Sequence, residues 1–471
     1  MPNATNAAQT PQARHTIAPV AEDLGRRFQD AGFKLALVGG SVRDTLLGRL
    51  GNDLDFTTDA RPDDVLTILR PWADAVWEVG IAFGTVGGMK DGYQVEVTTY
   101  RSEAYDRTSR KPEVSYGDTI DEDLVRRDFT VNAMAVALPE THFVDPHGGL
   151  DDLAARVLRT PGTPESSFSD DPLRMLRAAR FAAQLDFEVA PEVVAAMTAM
   201  ADRIEIVSAE RVRDELNKLL LSEHPRKGLR LLVDTGLADR VLPELSALRL
   251  ERDEHFRHKD VYEHSLTVLE QAIDLEADGP DLVLRLSALL HDIGKPKTRR
   301  FESDGRVSFH HHEVVGAKLV KSRMTQLKYP NDMIKDVSRL VELHLRFHGY
   351  GGGEWTDSAV RRYVRDAGPL LDRLHKLTRS DCTTRNKRKA AALSRTYDSL
   401  EARISELQEQ EELDSIRPDL DGNQIMTILE LKPGPMVGKA YQHLLELRLE
   451  HGPLGEEAAV TALKEWWAAQ Q

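Results

Sequence analysis

The stretch LVGGSVRDTLLGRLGNDLDF, Leu37 to Phe56, decides how the chain reads. An apolar run closes on two glycines, a short helical stretch follows, and the segment ends in Asp-Leu-Asp. Val38-Gly39-Gly40-Ser41 has the form of a strand end that opens into a helix. Gly39 and Gly40 let the backbone turn tightly and let N–H groups approach a phosphate, with the helix N-terminus adding positive potential. The same residues could form an ordinary strand-to-helix turn. Arg43 falls in the first turn of that helix, where its guanidinium could join the same site. Asp53 and Asp55 are two apart in an alternating segment. On a strand both project from one face, while Leu54 and Phe56 point into a core. Adjacent carboxylates repel unless a cation lies between them, and magnesium with phosphate oxygens completing its shell meets that need. An exposed acidic turn is the other reading.

Composition narrows the field. With 471 residues, 41% hydrophobic and 30% charged, the chain reads as about three soluble globular domains. No apolar stretch approaches the ~20 residues that span a bilayer, so no membrane partner is expected. The first residues lack the apolar segment of a secretory signal, and 1–20 reads as a disordered leader. A single cysteine, Cys382, excludes an internal disulfide and points to the cytoplasm. The net charge of −15 argues against gripping nucleic acid by bulk charge. Binding would need local basic patches and ready release, which suits a catalyst.

The first third reads as mixed α and β. Lys34–Val38, Asp53–Thr57, Thr85–Met89 and Gln94–Thr98 have strand character, the last two joined as a hairpin through Lys90-Asp91-Gly92-Tyr93. Glu96 on the last strand is a candidate third carboxylate, or a surface residue of an alternating strand. Arg101–Pro112 is a polar, basic loop. After Asp151 strand signals almost vanish. Helical periodicity runs through Pro172–Phe181, Glu192–Ala201, Ala209–Leu221, Asp260–Leu275, Asp281–Leu290 and Thr396–Glu411. In Arg126–Ala133, Asp128 reads as a helix N-cap with Asn132 one turn later. Arg126 and Arg127 could bind a triphosphate, and Asp128 and Asn132 could read ribose hydroxyls. A capped helix with exposed basic residues is the alternative.

Leu37–Arg43, Asp53/Asp55, Arg126–Ala133 and DDPLRMLRAARF (Asp170–Phe181) stand in an order and spacing similar to class II CCA-adding tRNA nucleotidyltransferases. That family belongs to the polymerase beta-like superfamily, with bacterial poly(A) polymerases as relatives. The resemblance is strong from Leu37 to Leu221 and looser beyond. It implies an α+β protein: a mixed-sheet nucleotidyltransferase head at 21–160, a helical neck at 161–248, an HD domain at 249–385 and a helical tRNA-binding tail at 386–471. It implies catalysis by Asp53 and Asp55 with magnesium, with Glu96 as the candidate third catalytic carboxylate. Nucleotide binding would fall to Gly39, Gly40, Arg43, Arg127, Asp128, Asn132, Asp171, Arg174 and Arg177. CTP, ATP and tRNA would be the partners.

The base-selecting motif of that family maps onto Asp170–Arg174. Asp171 and Arg174, three apart on a helix, would be neighbours. A carboxylate accepts from the exocyclic amine of cytosine or adenine, and arginine donates to the ring nitrogen beside it. Guanine and uracil present a carbonyl there and are rejected by unpaired polar groups. An ordinary salt bridge is the alternative reading. Where the family commonly has Glu first in this motif, this chain has Asp170. Glu210-Arg211, leading into Glu215, resembles the family's last motif and reads as a brace for the templating helix. Arg101, Arg107, Arg110 and Lys111 lie where a family loop helps switch from C to A addition.

LLHDIGKP (Leu289–Pro296) carries a second signature. His264, His291, Asp292 and Asp381 resemble the His…His-Asp…Asp set of the HD phosphohydrolases. Mixed His/Asp sites suit transition metals, and with water hydrolyse phosphate esters. FHHHE (Phe309–Glu313), His344 and His348 offer further ligands, with His312 and His344 the candidates. Each histidine alone could be a core or surface residue. Basic Arg385–Lys389 could touch RNA phosphates or end a helix. Competing readings are a poly(A) polymerase, an enzyme adding only CC or only A, and a metal-dependent phosphohydrolase whose head merely binds nucleotide.

Overall fold

The structure is a computed structural model that describes residues 18–49, 51–101, 116–249, 260–303, 307–347, 355–383, 386–411 and 416–470. The leader as far as residue 17, Arg107, Arg110, Lys111, His348 and Arg385 lie outside the described residues. The chain divides into two compact units at Val241/Leu242.

Alternating burial builds the head around a seven-stranded mixed sheet. Its strands are β1 (Leu35–Val38), β2 (Asp53–Thr58), β3 (Ala75–Trp77), β4 (Thr85–Lys90), β5 (Tyr93–Thr99), β6 (Ala135–Leu138) and β7 (His142–Val144), in the order β3-β4-β5-β2-β1-β6-β7. Only β2 and β5 pair in parallel within this sheet. Asp91 and Gly92 both have positive φ, 50° and 81°, so the Asp-Gly turn between β4 and β5 is the two-residue hairpin type whose twist matches its strands. In β2, Leu54 and Phe56 are buried and Asp53 and Asp55 open on the other face, as alternation requires. Helix α1 (Pro19–Asp30) starts on a proline and buries Val20, Ala21, Leu24 and Phe28, one stripe at helical spacing, against β1 and β6. Three short helices complete the head beside it: α2 (Gly40–Leu46), α3 (Pro62–Leu69) and α4 (Ile120–Val125), with α5 (Gly149–Ala155) at its end.

The neck follows as α6 (Pro164–Asp170), α7 (Leu173–Leu185), α8 (Pro191–Ala199), α9 (Ala209–Leu220), α10 (Pro225–Asp234) and α11 (Leu237–Val241). Small residues on α7 let its neighbours approach closely. A Cβ on Gly228 of α10 would lie 2.4 Å from the Ala179 carbonyl oxygen, so only glycine fits there. Strands do persist after Asp151. Val157–Leu158 pairs in parallel with Glu188–Val189, and Arg300–Phe301 pairs with Val307–Ser308. Two-residue pairs leave no alternation to read.

Among the described residues, the second unit is helical apart from that last ribbon. It contains α12 (Pro243–Ser246), α13 (Val261–Ile273), α14 (Leu282–Leu290), α15 (Lys295–Thr298), α16 (His312–Gln326), α17 (Asn331–Leu343), α18 (Asp357–Ala367) and α19 (Leu371–Ser380). Helices α20 (Lys387–Glu411), α21 (Gly422–Leu429), α22 (Pro435–His451) and α23 (Glu456–Ala468) follow. Helix α20 begins nine residues before the expected Thr396, because the Asn386 side chain accepts from the Arg388 and Lys389 backbone N–H groups and caps it. No described helix is long and apolar enough to cross a membrane.

Candidate active sites

The first site grows from strand register. Asp55 pairs directly with Glu96 across the parallel β2–β5 ladder, and Asp53 with Gln94, so Asp53, Asp55 and Glu96 share one face. Asp55 opens to a cleft, yet burial at its floor pushes its carboxyl above the usual range, with Glu96 and Asp53 adding to the rise against the pull of Arg127. Three carboxylates this close fit a divalent cation better than they fit each other. The Ser41 hydroxyl ties the glycine turn to this strand. It donates to the Asp53 carbonyl at 3.2 Å and accepts from the Asp55 N–H at 2.9 Å. No sequence reading had singled it out. Gly39 has φ of 68°, and a Cβ there would lie 2.8 Å from an Arg127 guanidinium nitrogen. The backbone conformation demands glycine, while the guanidinium, the end of a flexible side chain, could shift.

A cavity of about 480 Å³ extends from this turn, lined by Gly39, Gly40, Arg43, Asp55, Arg127, Asp128, Asn132, Asp171, Arg174, Arg177, Arg180 and Arg211 among others. Arginines outnumber acids here, which gives an acidic chain a local basic pocket. Arg127 is held by Asp123 at 3.0 Å. Arg43 is buried rather than poised for a ligand alone. It grips Asp44 through two bonds of 2.9 and 2.8 Å and donates to Asn132 Oδ1 at 2.5 Å.

Asp128 does not cap an α-helix. Phe129 is extended and starts a 3₁₀ turn over Thr130–Asn132. Asp128 Oδ1 accepts from the Phe129 N–H at 2.8 Å and from Asn132 Nδ2 at 2.9 Å, so the two residues meet as expected by a different route. Its Oδ2 accepts from Arg177 Nε at 2.7 Å. Burial alone would raise the Asp128 carboxyl, but Arg177 and Asn132 outweigh it and hold it far below the usual range. Glu215 on α9 pairs with Arg180 at 2.8 Å and approaches Arg177 at 3.8 Å, bracing α7 from behind. Burial, with Arg177 beside it, pushes Arg180 down to about 10. Arg43, Arg177 and Arg180 all lie against the Phe181 ring, Arg180 nearest at 4.0 Å.

The expected Asp171–Arg174 pair needs correction. Asp171 is not on the helix. It is extended (φ −143°, ψ 102°) between α6 and α7, because it precedes Pro172 and a residue in that position avoids the helical region. Its Oδ1 accepts from the Leu173 N–H at 3.1 Å and its Oδ2 pairs with Arg211 at 2.6 Å. Asp170 is the last residue of α6. Arg174 instead donates to Ser167 Oγ at 2.9 Å and to the Arg126 carbonyl at 2.5 Å. Asp171 and Arg174 still line the same cavity, each anchored from behind. Arg211, read from sequence only as part of a brace, belongs to the pocket as well.

The second site forms where helix ends converge. Asp260 caps α13 and so sets His264 one turn in. His291 caps the C-terminus of α14, His344 that of α17, and Asp381 that of α19, while His312 opens α16. His264 Nε2 lies 2.9 Å from Asp381 Oδ1, and His312 Nε2 lies 3.2 Å from Asp292 Oδ1. His291 Nε2 lies 3.2 Å from Asp292 Oδ2. The ligand atoms of His264, His291 and Asp381 fall within 4.8 Å of one another, and so do those of Asp292, His312 and His344.

All four imidazoles are oriented through Nδ1. His291 bonds the Ala288 carbonyl at 2.8 Å, His312 the Phe309 carbonyl at 2.8 Å and His344 the Val341 carbonyl at 2.7 Å. His264 meets the Thr383 hydroxyl at 3.0 Å. Every Nε2 is thereby turned inward, the arrangement by which proteins fix metal-binding histidines. The Nε2 atoms of His291 and His312 are buried and both face the Asp292 carboxylate. Burial, with His291 beside it, pushes His344 down to about 3, so its ring is neutral and able to ligate. Burial would raise Asp292, but His291, His312 and Lys295 hold it well below the carboxylate range. Lys295 Nζ reaches Asp292 Oδ2 at 2.6 Å. The residues present therefore fit divalent metal.

Residues 35–159 match the poly A polymerase head domain, 186–248 a probable RNA- and SrmB-binding site of polymerase A, and 261–386 the HD domain. An A-adding tRNA nucleotidyltransferase of Deinococcus radiodurans is 35% identical over 92% of this chain and 96% of its own length. The chain belongs to the A-adding and CCA-adding tRNA nucleotidyltransferase family. A CCA-adding enzyme of Streptococcus suis, another relative, is 30% identical over 93% of this chain and 94% of its own length. The crystal structure of the Bacillus stearothermophilus CCA-adding enzyme in complex with CTP has a TM-score of 0.69 at 23% identity, covering 96% of this chain and 99% of that one. That likeness establishes a shared tRNA nucleotidyltransferase fold. Family membership across nearly the whole chain disfavours a hydrolase with a mere nucleotide-binding head.

Proposed function

We propose that the protein adds C and A to the 3′ end of tRNA from CTP and ATP, without a nucleic-acid template, releasing pyrophosphate. One observation carries this reading: Asp55, paired with Glu96 in the sheet, lines the same arginine-rich cavity as Asp171 and Arg174. Asp53, Asp55 and Glu96 would hold magnesium, which when bound activates the attacking hydroxyl and offsets charge on the leaving phosphates. The Gly39–Gly40 turn and Arg127 bind the triphosphate. Asp128 and Asn132, themselves locked by Arg177 and Arg43, meet the ribose. Asp171 accepts from the exocyclic amine of C or A, and Arg174 donates to the adjacent ring nitrogen from the edge not used by Ser167 and Arg126.

Incubation with tRNA lacking its 3′ end, CTP, ATP and magnesium tests the proposal. Extension by CCA and then arrest supports it. A long A ladder supports a poly(A) polymerase, and phosphate release without extension supports a hydrolase. A second reading, addition of A alone to tRNA already ending in CC, is favoured by the 35% identity to an A-adding relative. Failure to extend tRNA lacking CC, with efficient extension of tRNA ending in CC, would select it.

The second unit we assign to metal-dependent hydrolysis of a phosphate ester. The donor set of four imidazoles and two carboxylates suits a transition metal, which when bound supplies an activated water. Lys295 keeps Asp292 charged and oriented. Phosphate release from an RNA 3′-phosphate, or opening of a 2′,3′-cyclic phosphate to the monoester, abolished by chelation, tests this assignment. The lone Cys382 and the absence of any disulfide requirement favour the cytoplasm as its setting.

A further inference from the structure

The head sheet carries an unassigned aromatic residue on its acidic face. Reading outward from Asp55, the directly opposed residues are Glu96 on β5, Gly87 on β4 and Trp77 on β3. Opposed residues share a face, so Trp77 stands on the side of the carboxylates. The indole leans inward over the glycine, for a Cβ on Gly87 would lie 2.0 Å from Trp77 Nε1. The ring thus sits about two strand spacings, ~10 Å, from Asp55. Beyond it the sheet ends, and Val79 and Phe83 in the following turn are 89% and 51% exposed.

Reaction geometry says what should lie there. In-line transfer sets the attacking oxygen opposite the leaving pyrophosphate. The glycine turn that binds phosphate follows β1, on one flank of β2, whereas β5, β4 and β3 lie on the other. The 3′-hydroxyl must therefore arrive across Glu96, from the side where the Trp77 indole covers Gly87. We propose that Trp77 is a positioning residue, a stacking platform for the terminal base of the acceptor RNA. The proposal rests on the nucleotide-adding reading above. Aromatic faces hold single-stranded bases without demanding a sequence, as an enzyme whose acceptor end changes with each addition requires. Gly87 leaves the room that the indole needs to lie over the sheet.

The test uses the full chain, ATP and an acceptor-stem hairpin ending in CC. Trp77→Leu keeps apolar cover over Gly87 but loses the stacking face; Trp77→Phe keeps both. Leucine should raise KM for the hairpin about tenfold, with KM for ATP unchanged, and phenylalanine should stay near wild type. A hairpin with an abasic terminal nucleotide should bind wild type and Trp77→Leu equally poorly. Hairpin binding should also quench wild-type tryptophan fluorescence more than that of Trp77→Phe, a readout that survives if the leucine variant does not fold. Extension with unaltered hairpin KM in Trp77→Leu, or equal quenching in wild type and Trp77→Phe, would overturn the platform alone. No extension of any RNA by wild type would overturn both it and the reading beneath it.

Discussion

Arg211 Nη2 lies 2.6 Å from Asp171 Oδ2, while Arg174 turns away to Ser167 and the Arg126 carbonyl. Asp171 is thus held by Arg211 and not by Arg174. The Arg211 side chain is about half exposed, so the pair itself is weak and readily exchanged. Recognition of C or A would trade part of this contact for the exocyclic amine. Asp171→Ala should therefore loosen base choice more than it weakens triphosphate binding. Discrimination against GTP and UTP should fall about 10- to 100-fold in competition assays, the worth of one good base contact. Unchanged selectivity in a folded variant would remove Asp171 from base reading.

The two sites lie in different compact units and share no residue. Asp53→Ala should cut nucleotide addition by about a thousandfold or more and leave phosphate release intact. His291→Ala should do the reverse. Measuring both activities on both variants checks this, and loss of both in either folded variant would mean coupled sites.

What the sequence made legible was local. The alternation in β2 and the Asp-Gly hairpin are nearest-neighbour patterns, and both appear as read. Glu96 was a bare candidate, because its place beside Asp55 depends on parallel pairing of strands far apart in sequence. The three-residue β3 is too short to announce itself, so Trp77 went unnoticed. Asp171 was misplaced on a helix although the signal was present: Pro172 follows it. In the second unit the imidazoles stood out by type, but their convergence depends on how four helix ends pack, which no spacing records.

The Asp128–Arg177 contact should report as a pH-dependent stability. The folded carboxyl is depressed, so its contribution is present above the unfolded value near 3.9 and is lost as pH falls below it. Asp128→Asn should cost about 1–3 kcal/mol between pH 5 and 7, as a buried charged hydrogen bond does. The gap in urea midpoint between wild type and variant should narrow below pH 4. A gap that stays constant down to pH 3 would contradict this assignment of charge.

Asp292 offers Oδ2 toward His291 and Oδ1 toward His312 and His344. Two ligand groups that meet at one carboxylate have donors for two ions. Elemental analysis of the second unit's metal in wild type should approach two equivalents per chain. His312→Ala should retain one, and Asp292→Ala should lose both, because the shared ligand is gone. One equivalent in wild type, unaffected by His312→Ala, would restrict the site to His264, His291 and Asp381.

Gly294 gives that site a dependence on backbone space. Its φ of −76° is open to any residue, so conformation does not require glycine. Space does: a Cβ there would lie 2.0 Å from the His312 carbonyl oxygen and 2.7 Å from the Gly316 nitrogen. Both are backbone atoms of the start of α16, which cannot step aside as a flexible side chain would. Gly294→Ala must push that helix start away and carry His312 with it. Overpacking of this kind costs about 1–3 kcal/mol. The variant should remain folded, lose metal as His312→Ala does, and add nucleotides at the wild-type rate. Full metal content in Gly294→Ala would mean that α16 can retreat without moving its first histidine.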